Sequence, residues 1–80
     1  MTLDNDGNIE NTPENIRALR VFCGLTQKAC ADIYGVTLRS WQKREEPEDS
    51  ANFIRMNKIH FEYLLLMADK HPKYWLKPKE

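Results

Sequence analysis

Basic side chains are concentrated in the middle of this sequence. Residues 16–44 hold six lysines and arginines against one acid, Asp32, whereas residues 1–15 hold four acids and no base. The 80-residue chain has a formal net charge of zero, so its charge is segregated rather than absent. A basic segment of this density can bind phosphate groups through ion pairs and hydrogen bonds. The count alone is equally compatible with the solvated surface of ordinary helices.

Turn and capping residues divide this basic segment into short helices. Thr26 can cap a helix through its hydroxyl, and Gly35 can end that helix in the left-handed conformation. Thr37 can cap the next helix after a tight turn. The sequence therefore predicts two short helices joined at Gly35, the second with an exposed basic face. This arrangement is typical of a helix-turn-helix.

The same segment resembles the lambda-repressor and Cro-type (XRE) family of DNA-binding proteins over roughly Pro13 to Glu45. The matching positions are Leu25, Thr26, Gln27, Ala31, Gly35, Val36, Thr37 and Glu45. Three positions depart from the family: Arg44 stands where tryptophan is frequent, and Glu46-Pro47 replaces the common Asn-Gly. The resemblance implies a lambda-repressor-like helical fold and the role of a small repressor of transcription. It also implies an ion pair between Arg20, late in the first helix, and Glu45, at the end of the third.

The sequence of the third helix predicts which of its faces contacts DNA. If Trp41 points into the core, a rotation of about 100° per residue places Arg39 and Lys43 on the outer face. Arg39 can then form a bidentate contact with guanine, and Leu38 can touch a thymine methyl group. Phosphate or flanking-base contacts are expected from the other polar residues of the two helices. The predicted DNA-binding residues are Gln27, Lys28, Thr37, Leu38, Arg39, Ser40, Gln42 and Lys43.

The chain divides into an arm, a core and a C-terminal part. Residues 1–11 are polar and acidic and predict a flexible arm. Residues 12–48 predict the helix-turn-helix core, whose first helix follows Thr12 and ends at Gly24. Residues 49–80 predict a long helix and an aromatic tail.

The C-terminal part predicts a fourth helix from residue 49 or 50 to about residue 69, stopped by His71-Pro72. Its apolar residues occupy two flanks, and a small domain can cover only one of them. The uncovered flank is expected to be an exposed apolar patch, which favours a homodimer. The alternative is an intramolecular clasp, in which residues 74–76 fold back over the helix. The predicted dimerisation residues are Met56, Ile59, Tyr63, Leu66, Met67 and Trp75.

No combination of residues in the sequence predicts catalysis or metal binding. Ser40 and Ser50 have no neighbouring histidine, and there is no glycine-rich phosphate loop. Cys23 and Cys30 lack the short paired spacing of zinc ligands and fall on core faces, which favours reduced, buried thiols. The sequence therefore predicts neither an enzyme nor a cofactor. No apolar run approaches about 18 residues and no secretory leader is present, so cytoplasmic localisation and no membrane contact are expected.

Together these patterns predict an all-α, lambda-repressor-like helix-turn-helix domain with a long C-terminal dimerisation helix. The expected function is a dimeric regulator that binds an inverted-repeat operator in double-stranded DNA, such as a repressor or autorepressor of phage, plasmid or mobile-element type. The alternative is a protein-interaction module, such as an antitoxin that binds its partner through the C-terminal helix and tail. Tyrosine and tryptophan in the tail motivate this alternative, because they are frequent interface anchors.

Overall fold

Helices form the framework of the described part of the chain. The computed structural model describes residues 1–76 and contains four α-helices in that range. They are α1 (Pro13–Phe22), α2 (Gln27–Tyr34), α3 (Leu38–Arg44) and α4 (Lys58–Met67). The expected all-α class is confirmed. No helix in residues 1–76 has both the length and the apolar character needed to cross a membrane.

Threonine caps begin the first three helices where the sequence predicts them. The hydroxyl of Thr12 accepts from Asn15 N at 3.2 Å, and the hydroxyls of Thr26 and Thr37 make the same contact three residues ahead at 3.0 Å. These bonds satisfy amide groups that the first turn of a helix leaves without a partner. Gly35 ends α2 with a φ of 67°, a left-handed conformation that side-chain-bearing residues rarely adopt. The boundaries of α1, α2 and α3 are therefore confirmed to within a residue or two.

The four helices enclose one apolar core, and Trp41 lies completely buried in it. The indole is the largest fully buried side chain, and α3 packs closely against α2 around it. Burial of side chains of this size is the main favourable contribution to the stability of a small domain. The other buried apolar residues are Ile16, Leu19, Cys30, Ala31, Met56, Phe61, Leu64, Leu65 and Ala68.

Tyr34, at the end of α2, joins α3 to α4. Its ring lies 5.0 Å from the ring of Trp41 and 5.8 Å from that of Tyr63, measured between centroids. Its hydroxyl donates to the carbonyl of His60 at 2.9 Å. Aromatic pairs in tilted and edge-to-face geometry at these separations are favourable beyond their burial. Burial raises the pKa of Tyr34 well above its ordinary value, so this hydroxyl stays protonated.

The predicted start of the fourth helix is wrong. The helix α4 has ten residues and begins after Asn57, whose side chain accepts from His60 N at 2.8 Å. The preceding residues make tertiary hydrogen bonds instead of helical ones. Ile54 N donates to the carbonyl of Lys43, and the side-chain amide of Asn11 donates to the carbonyl of Met56. The segment that sequence periodicity assigns to a long helix is therefore a connector that crosses back over the core.

The first residues of the chain form a turn that packs on α1. The carboxylate of Asp4 accepts from the amides of Asp6 and Asn8, both at 2.9 Å. Asn15, which is buried, accepts from Thr2 N at 3.0 Å and donates to the carbonyl of the same residue at 2.8 Å. The prediction of a flexible arm does not include this packing against α1, because its anchor is an asparagine inside the next helix. A polar residue at that position is ordinarily read as part of the solvated surface.

Candidate nucleic-acid interface

An ion pair joins α1 to the end of α3. Arg20 donates from Nε to Glu45 Oε2 at 2.7 Å and from Nη2 to Glu45 Oε1 at 3.1 Å. The side chains are 11% and 4% exposed, so the pair lies mostly out of solvent. Arg20 also donates to the carbonyl of Leu25 at 2.9 Å, which fixes the turn before α2. The hydrogen bonds to Glu45 raise the pKa of Arg20, against the opposing effect of burial. The pair that the family resemblance implies is present.

The carboxylate of Glu45 also holds α2 and the interior of α3. Trp41 donates from its indole nitrogen to Glu45 Oε2, and Gln27 donates to Glu45 Oε1 at 3.3 Å. Gln42 then donates to the side-chain oxygen of Gln27 at 3.4 Å. Two amide side chains from the predicted DNA-binding set are therefore adjacent and partly covered, one on each helix. Both residues also line the cleft described below.

The outer surface of α3 is polar and basic because Trp41 points inward. Arg39 is exposed, and Leu38 is about two-fifths exposed at the start of the helix. Lys43 is half-buried, so it lies at the margin of this face and not at its centre. A connector residue, Ile54, donates from its amide to the carbonyl of Lys43 at 3.1 Å. Of the two predicted base-reading side chains, Arg39 is therefore more accessible than Lys43.

The remaining predicted contact residues have structural partners. Thr37 caps α3, and the hydroxyl and carbonyl of Ser40 each accept from Arg44 Nη1 at 3.0 Å. Lys28 pairs with Asp32 at 2.6 Å, with both side chains more than three-fifths exposed. An exposed pair of this kind contributes little to stability and can exchange for another anion. Lys28 thus stays available at the start of α2, whereas Thr37 and Ser40 already accept hydrogen bonds.

A cleft beside α3 contains an arginine that the sequence does not assign to the interface. The cleft has a volume of about 320 Å³ and includes Arg17 of α1. The signal for Arg17 is weak but present in the sequence: it lies three residues before Arg20 and is the other base of the first helix. The lining residues are Arg17, Gln27, Arg39, Gln42, Glu45 and Glu46.

The predicted dimerisation surface is only partly exposed. Ile59 is 76% exposed and Tyr63 is 40% exposed, while Leu66 and Met67 are half-buried. The assignment of Met56 to this surface is wrong, because its side chain is fully buried in the core. Met56 lies before the α4 cap and not on the helix, so the helical rotation used to place it does not apply.

The tail does not clasp α4 within the chain. Trp75 is 75% exposed, and the residues on either side of it are also exposed. His71 holds the turn before these residues, because its Nδ1 accepts from the amides of Lys73 and Tyr74 at 3.1 Å. Residues 74–76 therefore do not form the intramolecular alternative to a dimer, and Ile59 and Tyr63 of α4 stay exposed among residues 1–76.

Both cysteines are free thiols in the positions that the sequence favours. Cys30 is fully buried and Cys23 is half-buried. Burial raises the pKa of both thiols, that of Cys30 to about 11. Such thiols are protonated and unreactive at neutral pH. Among residues 1–76, no histidine, cysteine or carboxylate side chains are grouped in a way that could hold a metal ion.

The arrangement thus consists of an exposed helix with basic residues, an ion pair at its base and a cleft with two arginines beside it. In comparisons with known proteins, no family model, no curated protein and no solved structure matches this chain.

Proposed function

We propose that this protein is a regulator of transcription that binds specific sequences in double-stranded DNA through a helix-turn-helix formed by α2 and α3. The observation that carries the proposal is the exposed, basic surface of α3, which Trp41 and the Arg20–Glu45 pair hold rigidly against the core. A helix that distinguishes DNA bases must keep a fixed position on the domain. The packing of Trp41 and the Arg20–Glu45 pair provides that fixed position. The lambda-repressor-like fold is part of the same proposal.

In the proposed complex, α3 lies in the major groove. Arg39 has the exposure and the fork geometry for the O6 and N7 atoms of guanine, and Leu38 can contact a thymine methyl group. Lys43 reaches a neighbouring base edge from the margin of the helix. Backbone amides at the start of α2, together with Gln27 and Lys28, hold phosphates and set the register.

The proposed assembly is a homodimer on an inverted-repeat operator. The exposed Ile59 and Tyr63, with the half-buried Leu66 and Met67, form one apolar surface on α4. A second copy that covers this surface would remove it from water and place two reading helices on one side of the DNA. Trp75 of the tail lies outside the core and belongs to the same proposed contact. A small cytoplasmic repressor or autorepressor of phage, plasmid or mobile-element type fits this design.

Footprinting tests the proposal directly. The full chain is titrated against the DNA upstream of its own coding region and cleaved with a nuclease. The expected result is a protected stretch that contains an inverted repeat, with both halves protected together. Protection that is uniform along the fragment, or absent at micromolar protein, contradicts sequence-specific binding.

A second candidate function is a protein-interaction module, such as an antitoxin. The observation that favours it is the exposed aromatic tail. The exposed fractions are 66% for Tyr74, 75% for Trp75 and 49% for Leu76. The two functions differ in their response to salt. A protein that neutralises several phosphates loses affinity linearly on a log–log plot against salt concentration, whereas an apolar protein contact responds weakly. A toxin gene beside the coding region favours this second function.

A further inference from the structure

Two arginines without a side-chain partner among residues 1–76 line the same cleft. Arg17 and Arg39 make no ion pair or side-chain hydrogen bond with any of residues 1–76, and both line the cleft between α1 and α3. The three other arginines of the chain are all engaged. Arg20 binds Glu45, Arg44 donates to Ser40, and Arg55 pairs with Glu48. The unengaged guanidinium groups are thus confined to one place on the molecule.

The cleft has the size and the polar walls of an anion site. Its volume of about 320 Å³ is roughly ten times the space that one water occupies in the liquid, so it admits a phosphate group with part of its hydration shell. The amide side chains of Gln27 and Gln42 form its wall between the two arginines' helices. Guanidinium groups bind two phosphate oxygens at once, and amide groups add single hydrogen bonds.

The charge balance of the cleft is positive but reduced. Glu45 lines it, yet its carboxylate already accepts two bonds from Arg20 and is neutralised. Glu46 also lines it and forms no ion pair with residues 1–76. Two arginines against one unmatched carboxylate leave a single positive charge. An anion is therefore attracted, and Glu46 weakens the attraction.

We propose that this cleft is a backbone-phosphate subsite in which Arg17 of α1 binds a DNA phosphate beside the base that Arg39 reads. The inference rests on the proposed function and extends the interface from α2 and α3 to α1. Arg17 lies on a different helix from the base readers, so its contact carries no sequence information. It fixes the distance of α3 from the backbone, and Glu46 sets an upper limit on the strength of that contact.

The test uses the full chain and a duplex of random sequence, because a phosphate contact does not depend on sequence. Arg17→Gln is compared with Lys58→Gln, which removes one positive charge from an exposed side chain at the start of α4. Affinity is measured by fluorescence anisotropy at several salt concentrations. Arg17→Gln should lower the affinity about tenfold at low salt and reduce the salt slope by about 0.9 per subunit. Lys58→Gln should change the affinity and the salt slope only by the small amount that loss of any exposed charge causes.

Glu46→Gln provides the opposite sign in the same assay. Loss of this carboxylate should raise the affinity for random duplex and for operator by the same factor. Equal salt slopes for Arg17→Gln and Lys58→Gln, with wild-type binding intact, would overturn the subsite and leave the proposed function standing. A wild-type chain that binds neither operator nor random duplex would overturn both.

Discussion

Glu45 receives hydrogen bonds from three helices at a single carboxylate. Arg20 of α1 donates to both of its oxygens, whereas Gln27 of α2 and Trp41 of α3 donate to one oxygen each. A carboxylate with this many donors is costly to desolvate and is stable only because every donor is in place. Loss of one partner therefore leaves the others buried without compensation, and the consequence should be visible in stability before it is visible in binding.

Breaking the Arg20–Glu45 pair is expected to destabilise the protein. Arg20→Met and Glu45→Gln should each lower the free energy of unfolding by about 1 to 3 kcal/mol, because the remaining group is buried without its partner. Urea denaturation of both single variants and the double variant gives the coupling energy. The matched control is the exposed Lys28–Asp32 pair, whose coupling should stay below about 0.5 kcal/mol. A coupling equally small for both pairs would falsify the proposed role of Glu45.

Arg39 is expected to distinguish operator from random DNA. Arg39→Ala removes the bidentate contact with guanine, so it should cost about 1 to 3 kcal/mol of binding free energy on the operator and much less on random duplex. Anisotropy titrations with both duplexes measure the difference. Because Arg39 is exposed and has no partner among residues 1–76, thermal stability should be unchanged. An equal loss on the two duplexes would make Arg39 a phosphate contact only.

Cys30 is expected to make stability fall in alkaline solution. Burial raises the pKa of its thiol from 9.0 to about 11, so the native state holds the proton more tightly than the unfolded chain does. Its contribution is complete below pH 9 and is lost as the pH rises towards about 11, by roughly 2 to 3 kcal/mol. Urea denaturation between pH 7 and 11 measures the loss. Cys30→Ala should show a shallower decline, with the remainder due to other buried groups such as Tyr34, and identical declines would exclude this origin.

At the scale of the helices, local capping signals predicted three elements well and the fourth poorly. Thr12, Thr26 and Thr37 each stand at the end of an unstructured or turning segment, so a short-range rule identifies them. Before α4, Asp49 and Ser50 offer equally good caps, and periodicity continues without a break. Tertiary hydrogen bonds determine where α4 begins, and no local sequence pattern indicates them.

The site shows the same limit. The outward position of Arg39 follows from the inward position of Trp41 by helical rotation, and the structure agrees. Arg17 could not be assigned in this way, because its proximity to α3 depends on how two helices pack. Helical rotation also misplaces Met56, because this residue lies before α4 and is not helical.

Asn57 is expected to determine where α4 begins. Asn57→Ala should lower the free energy of unfolding by about 1 kcal/mol, because the amide of His60 loses its acceptor at the helix start. Thermal or urea denaturation measures the change. The control is Asn52→Ala, a substitution at an exposed turn position that caps no helix. A loss no greater than that of the control would show that α4 does not depend on this cap.

At the scale of the whole molecule, the apolar surface of α4 is expected to control assembly. Ile59→Glu places a charge at the most exposed apolar position of the helix, so it should convert the proposed dimer to monomers without unfolding the chain. Sedimentation velocity at micromolar concentration measures the state. Lys58→Glu, the adjacent exposed position, is the control and should leave the dimer intact. Wild-type protein that sediments as a monomer would remove the dimer from the proposal.

Tyr34 gives the molecule a rigid connection between its two proposed contact surfaces. Its ring contacts Trp41 of α3 on one side and Tyr63 on the surface of α4 on the other. These ring contacts couple Tyr63 to Trp41 directly, in addition to the connector that joins α3 to α4 along the chain. In a dimer built on this surface, the distance between the two reading helices is therefore a fixed dimension of the protein. Operator half-sites separated by one base pair more or fewer would then be mismatched in both spacing and helical phase, so the spacer length becomes part of the recognised sequence.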